Sequence, residues 1–207
     1  MAALDPSAAR RRVPKQARAR ERFGRILDAA RQEMQERPIA DVTMESIALR
    51  ADVPVGSLYQ YFASKSALLA AVAEAVMAEA DAETSRILAE CHALQWREGV
   101  DRIVRTTLEF LRASPAYRAL LRAMRFTPEF AEITVASNER VADLMSLHPA
   151  FGRAGLSRAS ALGICRTAVT AVNALQDRAI ADESLDFEAA IVESQRLAKG
   201  YLATYLP

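Results

Sequence analysis

Two cysteines and two histidines are all that this 207-residue chain offers for thiol, imidazole or metal chemistry. Cys91 and Cys165 stand far apart, and neither belongs to a CxxC pair or to a Cys/His cluster at metal-ligand spacing. Both read as small apolar residues and His92 and His148 as surface or capping residues, so no metal and no cofactor is expected. No GxSxG, HExxH, GxGxxG or GxxxxGKS/T occurs, which removes the common signatures of hydrolases, metalloproteases and nucleotide-binding enzymes. Glycine (7) and proline (8) are scarce while 51% of the residues are hydrophobic, a balance that favours a packed core over disorder. No run approaches the ~18 apolar residues of a membrane helix, and the first twelve residues lack the apolar segment of a signal peptide. The expected location is cytoplasmic, without a membrane partner.

Net charge is also spare, at +1, but it is unevenly distributed. Residues 1–65 carry 12 Lys and Arg against 8 Asp and Glu, which leaves 15 against 18 for the remainder. Eight of the basic residues (Arg10, Arg11, Arg12, Lys15, Arg18, Arg20, Arg22 and Arg25) fall within the first 25 positions, beside only Asp5 and Glu21. A basic head therefore sits on a mildly acidic body.

Alternating β-branched runs are missing, and the periodicity from about residue 17 onward is helical. Phe23, Ile26, Leu27, Ala30 and Met34 make one amphipathic stripe that should end near Arg37-Pro38. Thr43 can cap a short second helix with Ile47 and Ala48 on its apolar side, and Glu45 suits the positive end of its dipole. Ala51-Asp52-Val53 leaves room only for a tight turn. A third short helix then starts behind Pro54 and buries Leu58 and Phe62. Two short helices joined by a tight turn behind a longer one form a helix-turn-helix. Ser64 reads as the cap of a long fourth helix reaching about Cys91, and Ser114-Pro115, Thr127-Pro128 and Ser157 mark further starts. "HPAFGRAG" reads as a loop, and two last helices run over roughly 157–182 and 186–205. The expected fold is all-α with about nine helices.

The third helix lies within "VPVGSLYQYFASK". With Leu58 and Phe62 inward, Val55, Gly56, Ser57, Tyr59, Gln60 and Tyr61 supply the exposed face and its margins. A DNA major groove about 12 Å wide admits one helix, and a glutamine carboxamide pairs with adenine. Gln60 is the side chain here suited to that. Ser57, Tyr59 and Tyr61 can donate to phosphates, and Gly56 lets the backbone approach. Lys65 adds charge, Thr43 offers a hydroxyl at a helix N-terminus, and Arg18 belongs to the basic arm. The competing reading is that the tyrosines flank a core Phe as packing residues only.

"VTMESIALRADVPVGSLYQYFASKSALLAAV" resembles the N-terminal helix-turn-helix of the TetR family of bacterial transcriptional regulators. Thr43, Ile47, Ala48, Ala51, Val53, Gly56, Ser57, Leu58, Tyr59, Tyr61, Phe62, Ser64, Lys65 and Leu68 fit its pattern. Asp52 stands where Gly is usual, and Pro54 replaces the usual Ser cap of the recognition helix. The resemblance covers about residues 20–72. It implies a DNA-binding unit over 1–66, an effector-binding and dimerisation unit over 67–207, and no enzymatic activity. It further implies a homodimer built from the last two helices, a palindromic operator, repression as the commoner mode, and a small-molecule effector held by the middle helices. Trp96, Phe110, Met124, Phe126, Phe130, Met145 and Asn173 are the candidates to line that effector site, with ordinary core packing the competing reading for each. Two rivals stay open: a regulator without a small-molecule effector, and an all-helical enzyme or interaction protein with a vestigial helix-turn-helix.

Overall fold

A computed structural model describes residues 16–125, 127–182 and 184–207, and every regular element among them is helical. Helix α1 (Ala17–Glu36) buries Phe23, Ile26, Ala29, Ala30 and Met34 on one face. It stops at Arg37, which is extended because the following Pro38 disfavours a helical residue before it. Helix α2 (Met44–Ala51) opens on a reciprocal capping box: the Thr43 hydroxyl accepts from the Ser46 N–H, and the Ser46 hydroxyl accepts from the Thr43 N–H. It closes at Asp52, which takes the left-handed conformation (φ 53°, ψ 53°) that glycine adopts without strain and aspartate tolerates better than most. The turn thus keeps its geometry despite the missing glycine.

Helix α3 (Val55–Tyr61) follows with Pro54 as its N-cap and, as expected, no side-chain capping bond. Its inner residue Leu58 and the adjoining Phe62 are completely buried, each worth about 1.5–3 kcal/mol of burial. The Phe62 ring stacks on Phe23 of α1 with centroids 5.3 Å apart, which clamps the helix-turn-helix onto the first helix.

Helix α4 (Lys65–Cys91), capped by Ser64, has 27 residues and a length of about 40 Å at 1.5 Å per residue. It is the spine of the molecule. Its first half, from Leu68 to Ala80, belongs to one apolar cluster shared with α1–α3; its last turns, Ile87, Leu88 and Cys91, belong to a second.

Helices α5 (Trp96–Ala113), α6 (Pro115–Met124) and α7 (Pro128–Met145) follow, with Ser114 and Thr127 capping α6 and α7 directly before a proline at the first position. The segment read as a loop contains a further one-turn helix, α8 (Pro149–Arg153), which corrects that reading and makes ten helices among the described residues, in keeping with the expected all-α fold of about nine. Pro149 presets the first turn, the His148 ring accepts the Ala150 N–H, and Gly155 at φ 72° turns the chain away. Helices α9 (Arg158–Ala181) and α10 (Phe187–Leu202), capped by Ser157 and Asp186, pack extensively on each other. Among the described helices none is long and apolar enough to cross a membrane. Cys91 and Cys165 are free and buried, and burial pushes the Cys165 thiol up to about 12.

Candidate DNA-reading helix and inner cavity

Because α3 spends Leu58 on the core, the opposite side is left to solvent. Val55 is 38% exposed, Tyr59 is 45% exposed, and Gly56 and Gln60 are also open. These four positions, spaced i, i+1, i+4 and i+5, share one face. Ser57 and Tyr61 are half-buried margins, and Tyr61 sets its ring edge against Phe23 at 5.8 Å. A Cβ added to Gly56 would meet no atom within 4 Å. The fold itself therefore does not require glycine there, and the free space faces outward.

Charge around this helix divides into available and committed groups. Arg18 is exposed in the first turn of α1, which holds no acidic residue, so its charge adds to the positive end of the helix dipole. Such a placement gains from an external anion. Thr43 is exposed, and its hydroxyl can donate outward while it accepts from Ser46. Lys65 is half-buried, and its Nζ donates to the Ile39 carbonyl at 2.5 Å, bracing the segment between α1 and α2 against the start of α4. Arg50 is committed to Glu33 and Glu36. Arg10, Arg11, Arg12 and Lys15 lie outside the described residues.

A second feature lies among α4, α5, α6, α7, α9 and α10. There the chain forms a partly open cavity of about 80 Å³, mostly apolar and bounded by Met77, Ile103, Val104, Val172 and their neighbours. Its polar wall comprises Asp81 and Thr84 of α4, Thr107 of α5, Tyr117 of α6, Ser137 of α7, and Asn173 and Gln176 of α9. Asp81 accepts from Ser137 and from Arg140, whose Nε lies 2.8 Å away. Tyr117 donates to Asp177 at 3.0 Å. Desolvation, then the nearby Asp177 carboxylate, pushes the Tyr117 phenol well above its ordinary value, so it remains a donor.

Of the residues expected at an effector site, Met145 and Asn173 line this cavity. Trp96 lines a smaller recess of about 40 Å³ and donates from Nε1 to the Pro207 carbonyl at 2.8 Å. Met124 and Phe130 are spent in the apolar cluster around α1–α4, and Phe110 is 38% exposed. Phe126 lies outside the described residues. Trp96, Met124 and Phe130 are buried and fill volume themselves. The cavity's sequence signal is polar: Asp81 and Thr84, like Gln176 beside the expected Asn173, stand three residues apart on stripes that otherwise carry apolar groups inward.

Residues 26–72 match the family described as bacterial regulatory proteins of the tetR family, and residues 95–202 match the tetracyclin repressor-like C-terminal domain. The HTH-type transcriptional repressor KstR of Mycobacterium tuberculosis is 43% identical over 67 residues, 32% of this chain and only 30% of that protein's length. A TetR-family transcriptional regulator from Streptomyces coelicolor superposes with a TM-score of 0.62 at 26% identity, covering 90% of this chain and 98% of its own. A TetR-family regulator from Mesorhizobium loti, 15% identical, shares the fold with a TM-score of 0.71 over 93% of this chain and 100% of its own.

Proposed function

The chain belongs to the TetR family of bacterial transcriptional regulators, and from that premise we propose that it is a cytoplasmic repressor that binds a palindromic operator as a homodimer and is released by a small molecule. In this reading residues 1–66 form the DNA-binding unit and residues 67–207 the effector-binding and dimerisation unit. Gln60 reads a base edge, Val55, Gly56, Ser57, Tyr59 and Tyr61 line the groove contact, and Arg18, Thr43 and Lys65 serve the phosphates. Repression is supported by the relationship to a protein named as a repressor.

The outer faces of α9 and α10 favour self-association. Gly163, Thr167, Thr170 and Ala174 make an exposed stripe of small residues along α9, and α10 exposes Val192, Leu197 and Gly200. Small residues let helix backbones approach closely, so two such pairs suit a four-helix bundle across a twofold axis. That arrangement would set two copies of α3 into successive major grooves, about 34–36 Å apart.

The observation that carries the proposal is the course of α4. Lys65 at its start donates to Ile39, Glu79 receives both Arg31 terminal nitrogens from α1, and Asp81 and Thr84 further along bound the cavity. A ligand that tilts α4 therefore displaces the DNA-reading unit. To weaken operator binding a hundredfold, it must prefer the released state by about 2.7 kcal/mol.

Selection of bound sites from random duplex DNA, followed by salt titration of the winner and light scattering, tests this. A palindrome with half-sites one turn apart, bound by a dimer with a steep salt slope, is expected. An absence of any enriched sequence at low salt would overturn the assignment of α3.

A further inference from the structure

The polar wall of the cavity holds groups of two kinds. Some are already paired: Asp81 with Ser137 and Arg140, Asn173 with Asn138, Tyr117 with Asp177. Others are not. The Gln176 side chain, 4% exposed, makes no hydrogen bond among the described residues and lines the open space of the cavity. Thr107 Oγ1 is buried without a partner, and Thr84, at 7% exposure, has none among the described residues either.

A primary carboxamide carries two N–H donors and a carbonyl acceptor, and one that faces a cavity without a protein partner has all of them available to a ligand. Its best complement presents an N–H beside a C=O, so that two hydrogen bonds close at once. A lone hydroxyl engages one side of the carboxamide at a time, and a carboxylate offers acceptors with no donor.

Charge narrows the ligand further. Asp81 is the only carboxylate on the described wall, its pairing with Arg140 already balances it, and no Lys, Arg or His lines the cavity. An anionic ligand would bring a second negative charge beside Asp81 with no cation to meet it, which burial penalises heavily.

We propose that this cavity takes an uncharged molecule with an apolar body and one amide edge, a lactam or a primary carboxamide, and that Gln176 recognises that edge. The inference rests on the reading that the cavity is the effector site. At about 80 Å³ the space is smaller than the ~150 Å³ that admits benzene. The ligand must therefore widen it, and Met77 and Met145, unbranched and adaptable, are the wall residues suited to yield.

The test is calorimetric titration of the full-length protein with ε-caprolactam, N-methylcaprolactam, hexanoate and toluene, repeated on Gln176→Leu. The lactam should bind the wild type at least about tenfold more tightly than its N-methyl derivative, lose that advantage in Gln176→Leu, and outbind hexanoate. Equal binding of the two lactams, tighter binding of hexanoate, or an undiminished preference in Gln176→Leu would each overturn the amide assignment. Should Gln176→Leu fail to fold, the N-methyl comparison on the wild type decides alone. Toluene binding without a lactam preference would remove the inference and leave the effector cavity standing. No binding by any probe, toluene included, would remove both and leave the polar groups to water.

Discussion

Glu33 of α1 and Arg50 of α2 meet in an ion pair that is buried on one side and wet on the other. Arg50 Nε donates to Glu33 Oε1 at 2.6 Å, with the Glu33 side chain 3% exposed and that of Arg50 27% exposed. Arg37 approaches the same carboxylate at 3.4 Å. Burial by itself would raise the Glu33 pKa, but the hydrogen bonds from Arg50 and Ser46 and the charges of Arg37 and Arg50 outweigh it and hold the carboxyl below its ordinary value. This contact fixes the first helix against the helix-turn-helix that it carries.

Arg50→Met should therefore strand a buried carboxylate and cost about 3 kcal/mol in urea unfolding. The double variant Glu33→Leu with Arg50→Met should recover most of the loss, because no buried charge then remains and the released Glu36 and Arg37 are solvent-exposed. A depressed folded pKa also means that this contribution is present above the ordinary value near 4.5 and is lost as pH falls through the folded pKa. Acid titration of wild type against the double variant checks the sign.

The helix-turn-helix was legible in sequence because its constraints are local. Thr43, the Asp52 turn, Leu58 and Phe62 each act within a few residues, and all four hold their expected places. The cavity was not legible, because it depends on which side chains from six separate helices converge. Trp96 shows why: its indole bounds the smaller recess and donates to the Pro207 carbonyl, a contact between residues 111 positions apart in sequence. Glu33, an unremarkable helix glutamate in sequence, becomes buried only because α2 crosses α1 there.

Gln60 and Lys65 should separate by their effects on DNA. Gln60→Ala is expected to cost about 1–3 kcal/mol on the preferred site and to relax its sequence preference without altering stability. Lys65→Ala should weaken all sequences alike and also lower the unfolding midpoint, because the Ile39 carbonyl loses its donor. Competition binding on matched and mismatched duplexes, beside thermal unfolding, reads both. An unchanged ranking of sites with Gln60→Ala would mean that base readout lies elsewhere.

Thr170→Arg should give a folded monomer. Thr170 is exposed within the protomer, so the substitution should change protomer stability by no more than about 0.5 kcal/mol. Two copies of a long charged side chain at a close helix contact would, however, block association. Light scattering should report a monomer, and operator affinity should fall to that of a half-site. A dimer of undiminished affinity would move the interface off the α9 stripe.

The second pH window belongs to His148. Its Nδ1 accepts the Ala150 N–H at 3.2 Å and so caps α8, a role open only to an unprotonated nitrogen. Burial chiefly lowers its pKa; the nearby Leu94 backbone works against this, and the charges of His92 and Arg153 reinforce it. The His92 ring lies edge-on at 5.9 Å, and its Nε2 is 3.2 Å from the Leu144 carbonyl. Because the unfolded chain takes up a proton more readily than the folded one, stability should be intact above about 6.5 and should decline as pH falls through the lowered folded value. Protonation forfeits the cap, worth about 1 kcal/mol. His148→Asn, which caps without titrating, should flatten the decline between pH 7.5 and 5.5 in urea unfolding while leaving the steeper acid loss of Glu33 in place. Parallel pH profiles for wild type and His148→Asn would show that His148 carries none of the dependence in this range.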